Sequence, residues 1–399
     1  MSFEKKVTDV KQKLAQYRQE GWLLYDFRRS NPLACQFLEI PPEANLTRRF
    51  FYWIPLNGQP VKVVSLVEQH LLDHLPGKIQ TYRSWQNLES ILADLLENVS
   101  KIAMEYSPRN AIPSVSKVDG GTLEMIRSFG VQVASSANLL QFYTSIWSEF
   151  QLQTHRQALG VLEKGVSLAW EMIRSHLQSK QKLTEYDVQQ FLLKYIHEHA
   201  CECSDPPICA VNAHSANPHY SPDSKQSAEI QPEDFILIDL WCKQTLPEAV
   251  YADITQVGVA AASPTERQQK IFDIVKEARD TATAFVKERM ENRIPIFGWE
   301  ADQACRTVID DANFSRYFIH RTGHNIGVED HGPGAHLDDL ETHDIRLLLP
   351  GTCFSIEPGI YLPQEFGVRL EYDVYIHPNH QVEVTGNVQN ALICLGECK

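Results

Sequence analysis

Four carboxylates stand inside segments that otherwise read as buried strand. Asp239 interrupts Phe235-Ile236-Leu237-Ile238-Asp239-Leu240-Trp241, and fourteen residues on Asp253 interrupts Val250-Tyr251-Ala252-Asp253-Ile254-Thr255. Glu357 lies in Phe354-Ser355-Ile356-Glu357-Pro358-Gly359-Ile360-Tyr361, and Glu371 in Val368-Arg369-Leu370-Glu371-Tyr372-Asp373-Val374. One such acid reads as a solvated edge residue or a salt-bridge partner. Four ask for more, because a buried ionised carboxylate costs several kcal/mol unless it is paired, protonated or bound to a cation. If they converge, like-charge repulsion forbids four charges in one pocket without cations. A pair of divalent ions bridged by carboxylates is the simplest relief.

Histidines supply the other half. His320 and His324 are four apart in His320-Arg321-Thr322-Gly323-His324-Asn325-Ile326-Gly327, and His331 follows seven later in Asp330-His331-Gly332-Pro333. The bland reading of this spacing is two surface histidines on one helical turn. Gly323 and Gly327 favour irregular backbone pressed against a neighbour. His219 sits in the loop-like Ala216-Asn217-Pro218-His219-Tyr220. A carboxylate-rich site with one imidazole suits Mn, Co, Fe or Zn over a thiolate-seeking metal.

The elements that must position these residues can be read from periodicity. Apolar strands are predicted over 235–241, 249–260, 353–361 and 368–376; in the last, alternation puts Arg369, Glu371 and Asp373 on one face. Leu159, Leu162, Val166, Ala169, Ile173 and Leu177 trace one face of a long helix. Thr184 with Asp187 predicts a capped second helix to about His199, Ser263-Pro264-Thr265-Glu266 starts a third, and Trp299 to Ile309 is a fourth. Strands interleaved with helices predict an α+β domain over roughly 151–399.

Before it, Val7 to Tyr17 reads as an amphipathic helix and Trp22 to Phe27 as a strand. Phe50 to Leu56 and Val61 to Leu66 flank Asn57-Gly58, a hairpin signal in which both turn positions take positive φ. A helix over Leu88 to Leu96, a strand over Lys101 to Tyr106, a helix over Thr122 to Phe129 and Val131-Gln132-Val133 complete a small α/β domain over roughly 1–150. Gly120-Gly121 reads as a plain turn, not a phosphate loop. No short-period repeat or low-complexity segment is visible.

The 399 residues are 43% apolar and 22% charged, a globular composition that argues against disorder, collagen and coiled coil. A net charge of -14 gives no general attraction to phosphate backbones or anionic lipid, and the basic pairs Lys5-Lys6, Arg28-Arg29 and Arg48-Arg49 are isolated. Neither nucleic acid nor membrane is therefore an expected partner. No apolar run approaches the ~18 residues of a bilayer span. Nine scattered cysteines suit reduced thiols in the cytoplasm. Cys201-Glu-Cys203 and Cys394-x-x-x-Cys398 lack zinc-finger spacing and read as solitary thiols. Lys164 and Arg174 read as a solvated helix face, and His343 and His377 as surface residues.

The order Asp239, Asp253, His324, Glu357, Glu371 resembles the five-ligand signature of the pita-bread-fold metallopeptidases. That family holds methionine aminopeptidase, aminopeptidase P and prolidase, with the metal-free relative creatinase. The densest matches are His-x-x-Gly-His-x-Ile-Gly at 320–327, Ile-Glu-Pro-Gly-Ile-Tyr at 356–361 and Gly-Val-Arg-Leu-Glu at 367–371. The resemblance is strong over 155–395; the preceding part matches only as a creatinase- or prolidase-like N-terminal domain, which argues against methionine aminopeptidase. It implies two divalent ions, Mn first with Co, Zn or Fe as alternatives. Asp239 would bind one ion bidentately, Asp253 and Glu371 would bridge the two, and His324 and Glu357 would complete the ligands of the second ion. A bridged hydroxide would attack the peptide carbonyl, with Glu357 as general base. His331, His320 and His219 would contact substrate and stabilise the tetrahedral intermediate. Arg369 would orient Glu371, and Thr255 would support Asp253.

The implied activity is removal of an N-terminal residue from a following proline, as Xaa-Pro dipeptidase or Xaa-Pro aminopeptidase, by a cytoplasmic homodimer. The alternatives are a metal-free amidine hydrolase of creatinase type and an inactive binding module on the same fold. Against the first stands the complete ligand set; against the second, that no ligand is missing. Four departures from the family pattern stand out. Lys243 to Glu248 reads as a lengthened turn between the aspartates, Trp241-Cys242 replaces small residues, Gln256 replaces an arginine, and Gly332 replaces an acid after His331. The last three bear on substrate preference more than on metal binding.

Overall fold

The computed structural model describes residues 2–396. They fall into two compact units, Met1–Thr144 and Ser145–Lys399. In the first, strands β1 (Gly21–Asp26), β2 (Phe50–Pro55), β3 (Val61–Ser65), β4 (Lys78–Tyr82), β5 (Lys101–Met104) and β6 (Gln132–Ser135) form one mixed sheet in the order β4-β3-β2-β1-β5-β6. Helices α1 (Phe3–Gln16), α2 (Pro32–Phe37), α3 (Trp85–Leu96), α4 (Gly120–Ser128) and α5 (Ala137–Thr144) complete it. Apolar clusters lie on both sheet faces, with Trp22 and Leu24 in one and Leu23 and Tyr25 in the other. Such alternation within one strand is what two-sided burial requires.

Two local readings change here. The β2–β3 hairpin exists, with Trp53 opposite Val61, but its connection is five residues long, 56–60, and of the Asn57-Gly58 pair only Gly58 has positive φ. Pro60 has no N–H to donate, so pairing starts one residue later. Gly120-Gly121 is not a turn but the first residues of α4, whose Asp119 accepts from Thr122 N at 2.9 Å.

The second unit carries α6 (Glu149–Ser179), α7 (Glu185–Glu198), α8 (Glu266–Glu291) and α9 (Gly298–Asp311) around its sheets. Strands β7 (Cys201–Glu202), β8 (Ile208–Val211), β9 (Phe235–Gln244), β10 (Ala252–Val259) and, near the C-terminus, β17 (Ile393–Cys394) make the first sheet. The second is β11 (Asn325–Ile326), β12 (Cys353–Ile356), β15 (Tyr372–Ile376) and β16 (Val382–Val384); β13 (Gly359–Leu362) and β14 (Phe366–Arg369) pair as a ribbon.

β9 and β10 are covered on both faces, which explains their near-continuous apolar sequence. Ile236, Ile238, Leu240, Ala252 and Ile254 face the cluster built on α6 and α7. Phe235, Leu237, Val257 and Val259 face the cluster built on α8, α9 and the second sheet. Asp239 and Asp253 share the parity of the latter set, so both carboxylates point inward.

The long segments 353–361 and 368–376 are each broken in two. Pro358 cannot donate to a ladder, and the chain leaves β12 at Glu357 before re-pairing as β13. The second break falls at Leu370-Glu371, between β14 and β15. Arg369, Glu371 and Asp373 therefore do not line one strand face. Each glutamate sits where the backbone changes sheets.

Candidate active site

Asp239 on β9 lies directly opposite Thr255 on β10, and Trp241 opposite Asp253. Directly opposed residues of an antiparallel pair share a face, so all four side chains project to one side. The lengthened turn adds residues beyond Gln244 and leaves this register intact.

His324 precedes β11 in an irregular segment pinned from several sides. Gly323 runs so close to β12 that a Cβ there would stand 1.9 Å from Ser355 O. His324 N donates to Ser355 Oγ (3.0 Å), and Asp302 on α9 accepts from Thr322 N (2.8 Å). Gly327, by contrast, has only ordinary contacts, nothing nearer than 3.5 Å. The His324 ring turns Nδ1 toward Asn325 O (3.4 Å) and Nε2 toward Glu357 Oε1 (3.5 Å) and Asp253 Oδ2 (3.8 Å). Burial drives its pKa well below the usual imidazole value, so the ring is neutral with a lone pair aimed at two carboxylates.

Glu371 is bridged to β10 at Thr255, and its Oε2 lies 2.6 Å from the Thr255 hydroxyl, which also reaches Asp239 Oδ1 at 2.9 Å. Arg369 is ion-paired with Asp239 Oδ2 and donates to Thr255 Oγ1 (3.1 Å) and Tyr361 Oη (2.9 Å). The arginine thus pairs directly with Asp239, is linked to Glu371 by hydrogen bonds through Thr255, and acts on Glu371 by its charge as well. Ser355 Oγ donates to Glu357 Oε1 at 3.1 Å. Burial raises Glu357 to about 7, against the pull of Arg369. Burial, then the charges of their carboxylate neighbours, raise Asp253 and Glu371 well above the carboxylate range.

These residues open onto a cavity of about 930 Å³ whose lining includes Asp239, Asp253, His324, Glu357, Arg369 and Glu371 together with His219, His320 and His331. All nine are brought to one place. His331 is 60% exposed and its ring centroid lies 4.1 Å from that of His324. Arg321 Nη2 donates to His331 Nδ1 (3.2 Å); a guanidinium only donates, so neutral His331 carries its proton on Nε2. His320 has both nitrogens engaged, Nδ1 with Arg321 O and Nε2 with Tyr361 Oη, each at 2.7 Å. Burial lowers its pKa to about 3. His219 is exposed on the cavity wall.

Two groups of potential metal ligands have donor atoms within 4.8 Å of one another: Asp253, His324 and Glu371, and His324, Asp330 and His331. Asp253 Oδ1 and Glu371 Oε1 are buried without a hydrogen-bond partner among the described residues. Asp330 and Asp373 went unassigned in the sequence. Asp330 lines the cavity, and burial plus the charge of Asp239 raise it to about 7. Asp373 accepts from Asp253 N at 2.8 Å. Both acids were written out in the motifs, and only their three-dimensional neighbours distinguish them from surface acids. Tyr361 and Ser355 carried no signal beyond adjacency to Glu357.

The departures resolve by face. Gln256 points to α6, where its Oε1 accepts from Trp170 Nε1 at 3.0 Å, so it does not touch the cavity. Cys242 is buried on that same side, its Sγ 3.8 Å from Ala158 O, and both it and Cys201 are free thiols. Trp241 does line the cavity, its Nε1 donating to Ser204 Oγ at 3.1 Å. A Cβ at Gly332 would meet Asn325 Oδ1 at 2.5 Å, so a side chain there would have to displace the Asn325 amide from its bond with Gly334 N. His377 is half-buried and bonded to Glu383 at 2.6 Å, whereas His343 is exposed. Cys398 lies outside the described residues.

The two-unit architecture is shared with solved peptidases of the pita-bread fold. A prolidase from Thermococcus sibiricus superposes with a TM-score of 0.61 at 22% identity, covering 99% of each chain. Dipeptidase PepE from Mycobacterium ulcerans gives 0.69 at 19% identity, covering 99% of this chain and 98% of that one. A Xaa-Pro dipeptidase of Lactobacillus delbrueckii subsp. lactis is 30% identical over 224 residues, 56% of this chain and 55% of that protein. Residues 153–378 match metallopeptidase family M24. The chain belongs to that family, with an α/β N-terminal domain ahead of an α+β pita-bread domain. Among the described residues no helix is long and apolar enough to cross a membrane.

Proposed function

We propose that this chain is a two-ion peptidase that cleaves an N-terminal residue from a following proline, as Xaa-Pro dipeptidase or Xaa-Pro aminopeptidase. One observation carries the reading. Asp253 Oδ1 and Glu371 Oε1 are buried without partners, and a neutral histidine beside them aims Nε2 the same way. Unpaired buried carboxylate oxygens are costly, and a hard cation is the partner this donor set fits. A metal-free hydrolase would have no use for them.

Two divalent ions held by Asp239, Asp253, His324, Glu357 and Glu371 would polarise the peptide carbonyl and lower the pKa of water. The chain's own groups do the rest. Glu357, which lines the cavity beside that water, would take its proton and return it to the leaving proline nitrogen. His331 offers Nε2–H to the developing oxyanion because Arg321 occupies its Nδ1. His320, bonded through both nitrogens, holds Tyr361 beside Arg369 instead of meeting substrate directly. His219 contributes a wall contact. Arg369 and Thr255 each take one lone pair of an Asp239 oxygen, which would leave each oxygen a second for an ion.

Manganese as the resident ion, a homodimer and a cytoplasmic setting belong to the same reading and rest on the family resemblance. The test is dialysis against a chelator followed by return of Mn, Co or Zn, assayed on an Xaa-Pro dipeptide, an Xaa-Pro-Yaa tripeptide and creatine. Loss and recovery of Xaa-Pro cleavage support the reading, and the dipeptide-to-tripeptide ratio separates the two enzyme types. Activity indifferent to chelation overturns it.

A further inference from the structure

We propose that Glu185 is the positioning residue of the cavity wall that carries His219; the proposal rests on the peptidase reading above. Glu185 is the first residue of α7 and its side chain is fully buried. A carboxyl at that depth must be surrounded by donors. Its Oε1 accepts from Val211 N (2.7 Å) and His214 Nδ1 (2.9 Å). Its Oε2 accepts from Tyr220 Oη (2.6 Å) and Ala228 N (2.7 Å).

Those donors mark the start, middle and end of one excursion. Val211 ends β8, Ala228 closes the loop, and Tyr220 lies between, stacked on His214 with centroids 4.4 Å apart. The part between, Asn217 to Ser221, is cavity lining, and His219 is its midpoint. The same excursion supports the opposite wall: Ser215 Oγ accepts from Gly367 N at 2.9 Å, on the strand that ends in Arg369. A loop of this length, left free, would spread over many conformations. One carboxyl gathers it at four points, so the placement of His219 is decided by a residue on a helix outside the loop.

A glutamine cannot substitute. Four donors converge on two acceptor oxygens, and the amide would present its own N–H groups to at least one of them. Glu185→Gln is therefore expected to lower kcat/KM for an Xaa-Pro dipeptide at least about tenfold. Metal affinity, measured by titration calorimetry, should stay within about twofold, because no proposed metal ligand lies on the loop. Amide hydrogen exchange over 212–227 should quicken. The double variant with His219→Ala should be no slower than His219→Ala alone, the non-additivity of residues acting as one unit.

Tyr220→Phe removes a single bond and keeps the test alive if the glutamine variant does not fold; it should quicken the same exchange by a smaller factor. The proposal is overturned if neither variant changes exchange over 212–227, if the Glu185 and His219 losses multiply, or if metal affinity falls more than tenfold. The exchange arm needs no substrate. A parent enzyme that fails to cleave Xaa-Pro would thus sink the peptidase reading while the wall claim is decided separately.

Discussion

The Thr255 hydroxyl lies 2.6 Å from Glu371 Oε2, and the same oxygen is 2.9 Å from Asp239 Oδ1. One hydroxyl has one proton for two carboxyls, so without a cation one of them must bring its own. Burial and the charges of Glu357 and Asp239 raise Glu371 well above the carboxylate range, so it holds a proton more readily than a solvated glutamate does. A divalent ion would replace that proton. Thr255→Val keeps the shape and removes the hydroxyl. It is expected to weaken metal binding by roughly 10–100-fold, the usual effect of losing a group that orients a ligand, as read by calorimetric titration.

Asp253→Asn removes one of the charges that the site must neutralise. The variant should fold, with a metal-free melting temperature no lower than that of the parent, because a buried repelled carboxylate is replaced by a neutral amide. Turnover on an Xaa-Pro dipeptide should fall by about a thousandfold or more if the residue is shared between ions. A fully active variant would refute that role.

His331→Ala separates metal binding from substrate chemistry. The ring is 60% exposed and its Nδ1 is taken by Arg321. The variant is expected to lose about 10²–10³-fold in kcat, the scale of one oxyanion donor, with metal content by elemental analysis unchanged. Loss of metal instead would assign His331, with Asp330, to the ligands.

Glu357 and Asp330 should each cost the metal-free protein stability as pH rises. Glu357 and Asp330, both raised to about 7, are buried carboxyls that hold a proton in the folded state which the unfolded chain releases near pH 4. Between those values the folded state binds more protons, so stability falls with pH. Their contribution is fully present below about pH 4 and lost on passing about 7. His155, His320 and His331, lowered to about 4, 3 and 4, titrate in the opposite sense, so the readout is the comparison with Glu357→Gln and Asp330→Asn. From pH 5.5 to 8 the metal-free variants should gain melting temperature relative to the parent; a difference that does not change with pH would contradict the buried-acid arrangement.

The sequence by itself determined the ligand types and much of their setting. Asp239 and Asp253 were conspicuous because a lone charge in an apolar strand needs an explanation, and the parity of β9 and β10 then fixed their common face. The long helix α6 and the capping box of α7 followed from periodicity and cap chemistry. What the sequence misplaced was local: it ran 353–361 and 368–376 as single strands, although Pro358 marked one break. Tertiary structure alone decided which acids meet. Asp373 and Asp330 look like ordinary acids in one dimension, and Glu185 like the start of a helix. The reason is that convergence depends on contacts between segments more than a hundred residues apart, such as Thr255 with Glu371, and burial, the quantity that turns a carboxylate into chemistry, is a property of neighbours brought in by the fold.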